Sequence, residues 1–309
     1  MYDFDHILLA LDFTELDNYL LKYTFEFARL ASSDKIVLMH VVNRAVKLDE
    51  DVPDPEKQGA TVTQREIILR KMQQLVAQNT GEGQQAEVVM RVKNGDPLTD
   101  ILNVARKQDA DVVVVGRKTV AEGSGELARK LVRRAICSVL IVPVQAIPKF
   151  GKALVPVDFS DYSQMGLSTA AGLARKMDWQ MHIQCLNVYS LPNGYLASGK
   201  SKDEFAEIMA ENARRRFNYF VKTVKAPEAK ISCKYQLDTR NQAAKLIFNI
   251  GLVERVDLII MGSRGRTNFA AAFLGSTTEK MLQHNISIPT LVIKKKEQNF
   301  GFFDALLNI

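Results

Sequence analysis

The sequence of 309 residues predicts two tandem doubly wound α/β domains, each built on a five-stranded parallel sheet. Three observations carry that prediction: an internal repeat, short β-branched runs alternating with longer helical stripes, and strands apolar along their whole length. The repeat is exact in register. His6-Ile7-Leu8-Leu9-Ala10-Leu11-Asp12-Phe13-Thr14 returns as Lys152-Ala153-Leu154-Val155-Pro156-Val157-Asp158-Phe159-Ser160, with the aspartates 146 positions apart. Asp111-Val112-Val113-Val114-Val115-Gly116 returns as Asp257-Leu258-Ile259-Ile260-Met261-Gly262, and Ile101-Leu102-Asn103-Val104 as Ile247-Phe248-Asn249-Ile250, both at the same offset. Domain boundaries are expected at 1–147 and 151–294, with Pro148-Lys149-Phe150-Gly151 as the junction and 295–309 as a C-terminal tail.

In the first copy the strands are expected at 5–11, 35–42, 86–92, 111–116 and 138–143. The second copy places them at 152–157, 181–188, 230–237, 257–262 and 289–293. Near-continuous apolar runs such as Val112 to Val115 indicate strands covered on both faces, the mark of a parallel sheet with crossover helices. Thr63 to Asn79 reads as one such helix, with Ile68, Met72, Leu75 and Val76 on one side. A second runs from an expected cap at Asp161 to Lys176. A third stripe, from Phe205 to Val224, points Arg214 and Arg215 to solvent, so the Arg214-Arg215-Arg216 run reads as a solvated face rather than a polyanion site. In sheets of this kind the ligand crevice lies outside the carboxyl ends of the strands where strand order reverses.

Composition narrows the function classes. Hydrophobic residues make up 47% and charged residues 25%, which fits a folded globular chain. A net charge of +6 is thin for a dedicated nucleic-acid binder. No apolar run approaches the roughly 18 residues of a spanning helix, and the acidic start Met1-Tyr2-Asp3-Phe4-Asp5 does not read as a signal peptide. Cys137, Cys185 and Cys233 lie far apart with no metal or redox spacing, so a reducing cytoplasm is the expected location. Ordinary catalysis finds little support: His6, His40, His182 and His284 form no H-E-x-x-H, and no G-x-S-x-G elbow is present. His40, His182 and the cysteines are expected to be packing residues.

Chemistry concentrates after the fourth strand of the second copy. Met261-Gly262-Ser263-Arg264-Gly265 is followed by Gly275-Ser276-Thr277, giving G-x-x-G-x9-G-S. Glycines after a strand let backbone amides approach phosphates, and a helix opening at Gly275-Ser276 offers its positive dipole end to an anion. Arg264 and Arg266 could add charge. The alternative is a glycine-rich turn capped by Ser276 with no ligand. A Walker P-loop and G-x-G-x-x-G are both absent.

With these motifs the chain resembles a tandem universal stress protein over residues 1–293. The resemblance implies the adenine nucleotide alpha hydrolase-like variant of the Rossmann-like fold. It also implies ATP as ligand, with magnesium accompanying the phosphates. Carried over residue by residue, the phosphate loop would be Met261, Gly262, Arg264, Gly265, Gly275, Ser276 and Thr277. The nucleoside end would meet Pro156, Val157 and Asp158 at the end of strand one and the backbone of Val188 at the end of strand two. Asp158 is equally open to reading as a local cap, because Asp12 sits identically in the first copy. That copy departs from the pattern: Thr119 replaces the second glycine, the loop is about five residues shorter, and only Gly123-Ser124-Gly125 remains of it. In the second copy Thr239-Arg240-Asn241-Gln242 stands where the first has Gly95-Asp96-Pro97.

The expected function is therefore an ATP-binding, stress-linked regulator or sensor with nucleotide in the second domain, hydrolysing it slowly at most. The alternatives are a non-nucleotide adaptor working through protein contacts, and an enzyme on a small hydrophobic or adenylated substrate. The resemblance further implies an intramolecular pseudo-dimer of the two repeats through strands 138–143 and 289–293, with protein clients or a homo-oligomer open. The tail, with Phe300, Phe302, Phe303, Leu306, Leu307 and Ile309, either docks on its own protein or presents a partner-binding peptide.

Overall fold

A computed structural model describes residues 3–57, 59–81, 83, 85–118, 125–265 and 274–296. The chain divides into two units, one over Asp3–Pro148 and the other from Lys149 onward. In the first unit the elements run β1 (His6–Leu11), α1 (Leu16–Ala31), β2 (Lys35–Val42), β3 (Asp51–Pro53), β4 (Thr61–Thr63), α2 (Gln64–Asn79), β5 (Glu87–Asn94), α3 (Pro97–Lys107), β6 (Val112–Arg117), α4 (Glu126–Arg134) and β7 (Ser138–Pro143). In the second they run β8 (Lys152–Pro156), α5 (Asp161–Lys176), β9 (His182–Tyr189), α6 (Lys202–Phe220), β10 (Lys230–Leu237), α7 (Ala243–Val253), β11 (Leu258–Gly262), α8 (Ser276–His284) and β12 (Thr290–Ile293).

Every predicted strand forms. In the first unit the order is β5-β2-β1-β6-β7, and in the second β10-β9-β8-β11-β12. All pairs within each of these sheets are parallel. Strand order reverses between β1 and β6, and again between β8 and β11, so each unit has its crevice at the end of its first strand. The apolar runs are buried as their composition requires: Val112, Val113 and Val114 are inaccessible to solvent, as are Leu258, Ile259 and Ile260. One feature lies outside the expected elements, an antiparallel ribbon of β3 and β4 beside α2.

Two helix starts refine the sequence reading. Thr63 caps α2 with a reciprocal Thr63–Glu66 box, as the boundary at Thr63 predicts. At α5 the expected cap is corrected from Asp161 to Ser160, whose hydroxyl accepts from the Ser163 amide at 3.3 Å, leaving Asp161 as the first helical residue. The stripe from Phe205 stays α-helical only to Phe220, then tightens into a 3₁₀ turn over Val221–Thr223. Arg214 does face solvent there, bridged to Glu207 and Glu211 at 3.0 Å each.

The repeat extends to backbone strain. Phe13 and Phe159 hold left-handed φ of 60° and 65°, Ser32 and Asp178 hold 52° and 49°, and Asp109 and Arg255 hold 49° and 50°. Each pair is separated by the same 146 residues as the sequence blocks. For a bulky phenylalanine this conformation is uncommon and costs roughly 1–3 kcal/mol.

Candidate functional site

The second unit brings the end of its first strand against the glycine loop. Val157 is tied to β9 by its amide, which donates to the Leu186 carbonyl at 2.9 Å, and by its own carbonyl, which accepts from Asn187 Nδ2 at 2.8 Å. Asp158 follows, half-buried. Its Oδ1 accepts from the Ser160 amide at 3.1 Å and from the Ser160 hydroxyl at 2.6 Å. Its Oδ2 faces the loop so closely that a Cβ on Gly265 would stand 2.7 Å away. Strand-end aspartate and second glycine therefore meet: one carboxylate oxygen of Asp158 fixes the turn, as the local-cap reading expects, while the other borders the loop.

The three glycines turn out to do different things. At Gly262 a Cβ would lie 2.7 Å from Tyr162 Cβ and 2.8 Å from its carbonyl oxygen, so this glycine lets α5 pack directly on the end of β11. Gly275 admits backbone: a Cβ would meet Arg264 Cα at 3.2 Å. The Gly275 amide donates to the Ser263 carbonyl at 2.8 Å, which removes it from the set of anion donors. Gly265 is the glycine that opens on the crevice.

Gly275 is the N-cap of α8 and makes no side-chain cap bond, so Ser276 is the first helical residue and not the cap. Thr278 anchors the helix by donating from its hydroxyl to the Gly262 carbonyl at 2.9 Å. The amide ends of Ser276, Thr277 and Thr278 thus sit at a fixed helix N-terminus beside the strand end. The Arg264 guanidinium lies 5.4 Å from the centre of the Tyr162 ring. Met261 is buried, while Pro156 and Val188 are half-buried at the ends of β8 and β9. Arg266 lies outside the described residues.

The first unit repeats the strand end but not the loop. Asp12 Oδ1 accepts from the Thr14 amide at 3.2 Å and its hydroxyl at 2.6 Å, matching Asp158 and Ser160. Its other oxygen is taken: Lys118, the counterpart of Arg264, reaches Asp12 Oδ2 at 2.5 Å. Burial raises the Asp12 pKa, but the Lys118 and Thr14 bonds outweigh it and hold the carboxyl below its ordinary value. Gly125 caps α4 nine residues after Gly116, whereas Gly275 lies thirteen after Gly262. Glu126 then occupies the first helical position, where the second unit has Ser276. Thr119, Gly123 and Ser124 lie outside the described residues.

Sequence reasoning missed Asp17. It is 1% exposed, accepts from the Phe13 amide at 2.7 Å and the Asp12 amide at 3.4 Å, and is pushed up to about 6 by burial and by the charge of Asp12. Its counterpart is Ser163, so the repeat carries no signal for it. His40 and His182 are satisfied by hydrogen bonds within the fold. His40 Nδ1 bonds the Leu11 carbonyl oxygen at 2.9 Å, and His182 Nε2 bonds the Ser232 hydroxyl at 3.0 Å. Burial raises the Cys185 thiol and pushes Cys233 up to about 11, away from the thiolate a nucleophile needs.

Fold and site together define a tandem pair of doubly wound α/β domains with a glycine loop after the fourth strand of the second. The universal stress protein family model matches residues 3–143 and again 149–294, and the chain belongs to that family. A universal stress protein of Methanocaldococcus jannaschii is 27% identical over 161 residues, covering 48% of this chain and 96% of its own length. The crystal structure of a universal stress protein from Archaeoglobus fulgidus, 18% identical, superposes with a TM-score of 0.63 over 95% of this chain and 97% of that one. A functionally unknown protein of Pseudomonas aeruginosa PAO1, 15% identical, gives 0.68 over 99% and 98%. Among the described residues, no helix is long and apolar enough to cross a membrane.

Proposed function

We propose that the second domain binds ATP, and that the protein acts in the cytoplasm as a nucleotide-responsive regulator or sensor of stress. The observation that carries this reading is the contact between Asp158 and Gly265 beside the N-terminus of α8. A carboxylate at the end of the first strand can accept from a ribose hydroxyl, while the backbone at Gly265 and the first turn of α8 offer N–H groups to phosphates. Pro156, Val157 and Val188 would border the base, with Met261, Gly262, Arg264, Gly275, Ser276 and Thr277 forming the loop around the phosphates. Among the described residues, no three His, Cys, Asp or Glu side chains gather as a metal site. A magnesium ion would accordingly be held through phosphate oxygens and water. Among the described residues the site would supply phosphate donors without a base positioned for fast transfer, which favours a binding role over rapid hydrolysis.

Isothermal calorimetry on the full chain tests the reading. One ATP per chain is expected, with binding lost in Gly265→Asp while the circular dichroism melt stays cooperative. Thr119→Asp should bind like the wild type. Two equivalent sites, or full affinity in Gly265→Asp, would overturn the placement, and no binding in the wild type would favour the adaptor.

A further inference from the structure

The first domain holds a partly open cavity of about 320 Å³ at the carboxyl ends of β1, β2 and β6. Its walls include Leu11, Leu16, Met39, Ile101 and Val115, all at most 6% exposed, and Ala10 and Val41 stand at its edge. The volume is at the lower end of the roughly 300–1,000 Å³ of small-molecule sites. Among the described residues, the charged side chains that line it are Asp12, Lys118 and Glu126.

We propose that this cavity is a second binding site, for a neutral, mainly apolar small molecule with one hydrogen-bonding head group and no phosphate. The wall chemistry sets the apolar body. The ion pair between Lys118 Nζ and Asp12 Oδ2 sets the head, since together they offer a donor and an acceptor at the mouth. Phosphate is disfavoured by Glu126, which places a covalently attached carboxylate on the first turn of α4, where a bound anion would otherwise complement the dipole. Lys118 is engaged by Asp12 and Lys130 by Glu126 at 2.9 Å, while Arg129 also acts on Glu126 and Arg117 packs beside Gly125. The two domains thus keep one crevice geometry and divide it between two ligand chemistries.

The probe is N-phenyl-1-naphthylamine, an uncharged fluorophore, titrated into the full-length chain. Saturable enhancement at one probe per chain is expected, unchanged by saturating ATP and unchanged in Gly265→Asp, which separates this site from the nucleotide reading. Val41→Trp and Ala10→Phe narrow the cavity from two sides, and each is expected to weaken binding at least tenfold. Hydrogen exchange on the wild-type chain should show probe-dependent protection in peptides around residues 8–13, 39–43 and 97–104, a readout independent of whether either variant folds. The proposal is overturned by absent saturation, by displacement with AMP or inorganic phosphate, by wild-type affinity in both folded variants, or by protection confined to residues 258–284.

Discussion

Asp17 sits buried beneath Asp12, facing it and Lys118, and shares the turn that presents the first crevice. Its pKa is raised from 3.8 to about 6, so between those values the folded chain holds a proton that the unfolded chain has released. The stability this contributes is fully present below about pH 3.8 and is lost as pH rises through about 6. Asp17→Asn removes that titration. Urea melts should therefore show the wild type gaining on the variant at pH 4 relative to pH 7, by about 3 kcal/mol at most. Parallel pH profiles would show that Asp17 does not titrate in this range. Such a residue is illegible in sequence because an aspartate six places after a strand reads as a helix-start acid. Its burial depends on α1 being folded down over the strand end. Asp158 was legible because the repeat isolated it, and Gly265 because it belongs to a spaced motif; which oxygen of Asp158 meets Gly265 needed coordinates.

Helix starts separate what local sequence determines from what packing decides. Asp96 caps α3 through the Thr99 amide at 2.9 Å, with Pro97 in the first turn. Its counterpart helix α7 begins at Gln242 with no side-chain cap, and the chain turns instead through Asn241 at φ 53°. Asp96→Ala should cost about 1 kcal/mol in a denaturant melt. Gly262→Ala should cost more, roughly 1–3 kcal/mol, because the added methyl meets the backbone of Tyr162 and not a movable side-chain tip. That loss should appear without nucleotide, which distinguishes a packing glycine from a phosphate glycine. Strands such as β6 and β11 could be read because they are buried and continuously apolar, whereas β5 and β10 are only partly buried and interleave polar residues. The β3–β4 ribbon could not, since Asp51-Val52-Pro53 and Thr61-Val62-Thr63 are too short to show a period and are fixed by pairing.

For the whole chain, duplication gives two similar scaffolds whose crevices differ in loop length and charge. The register of β6 with β7, compared with that of β11 with β12, places four of the five missing residues before α4 and one after it. A single nucleotide site predicts a simple thermal response. Ligand binding only to the folded state adds roughly 2.7 kcal/mol at a hundredfold excess over Kd. Differential scanning fluorimetry should show ATP raising the melting temperature of the wild type and leaving Gly265→Asp unmoved. The tail beyond residue 296 lies outside the described residues. Removing 298–309 is expected to lower the melting temperature, and an unchanged melt with loss of a bound partner would favour the peptide reading.

The paired strain at Phe13 and Phe159 bears on the history of the molecule. Their rings have found unrelated company: Phe13 lies against His40 and under Lys71, while Phe159 lies against Phe220 and under Arg216. Side-chain neighbours have drifted, yet the contorted backbone is the same in both halves. The contortion has also outlasted the second loop glycine, which the first half lacks. A cost borne equally where the spaced glycine motif is absent is not tied to that motif. In both halves it falls on the residue between a strand-end aspartate and the hydroxyl residue that aspartate binds, so the contorted phenylalanine closes the same small turn twice.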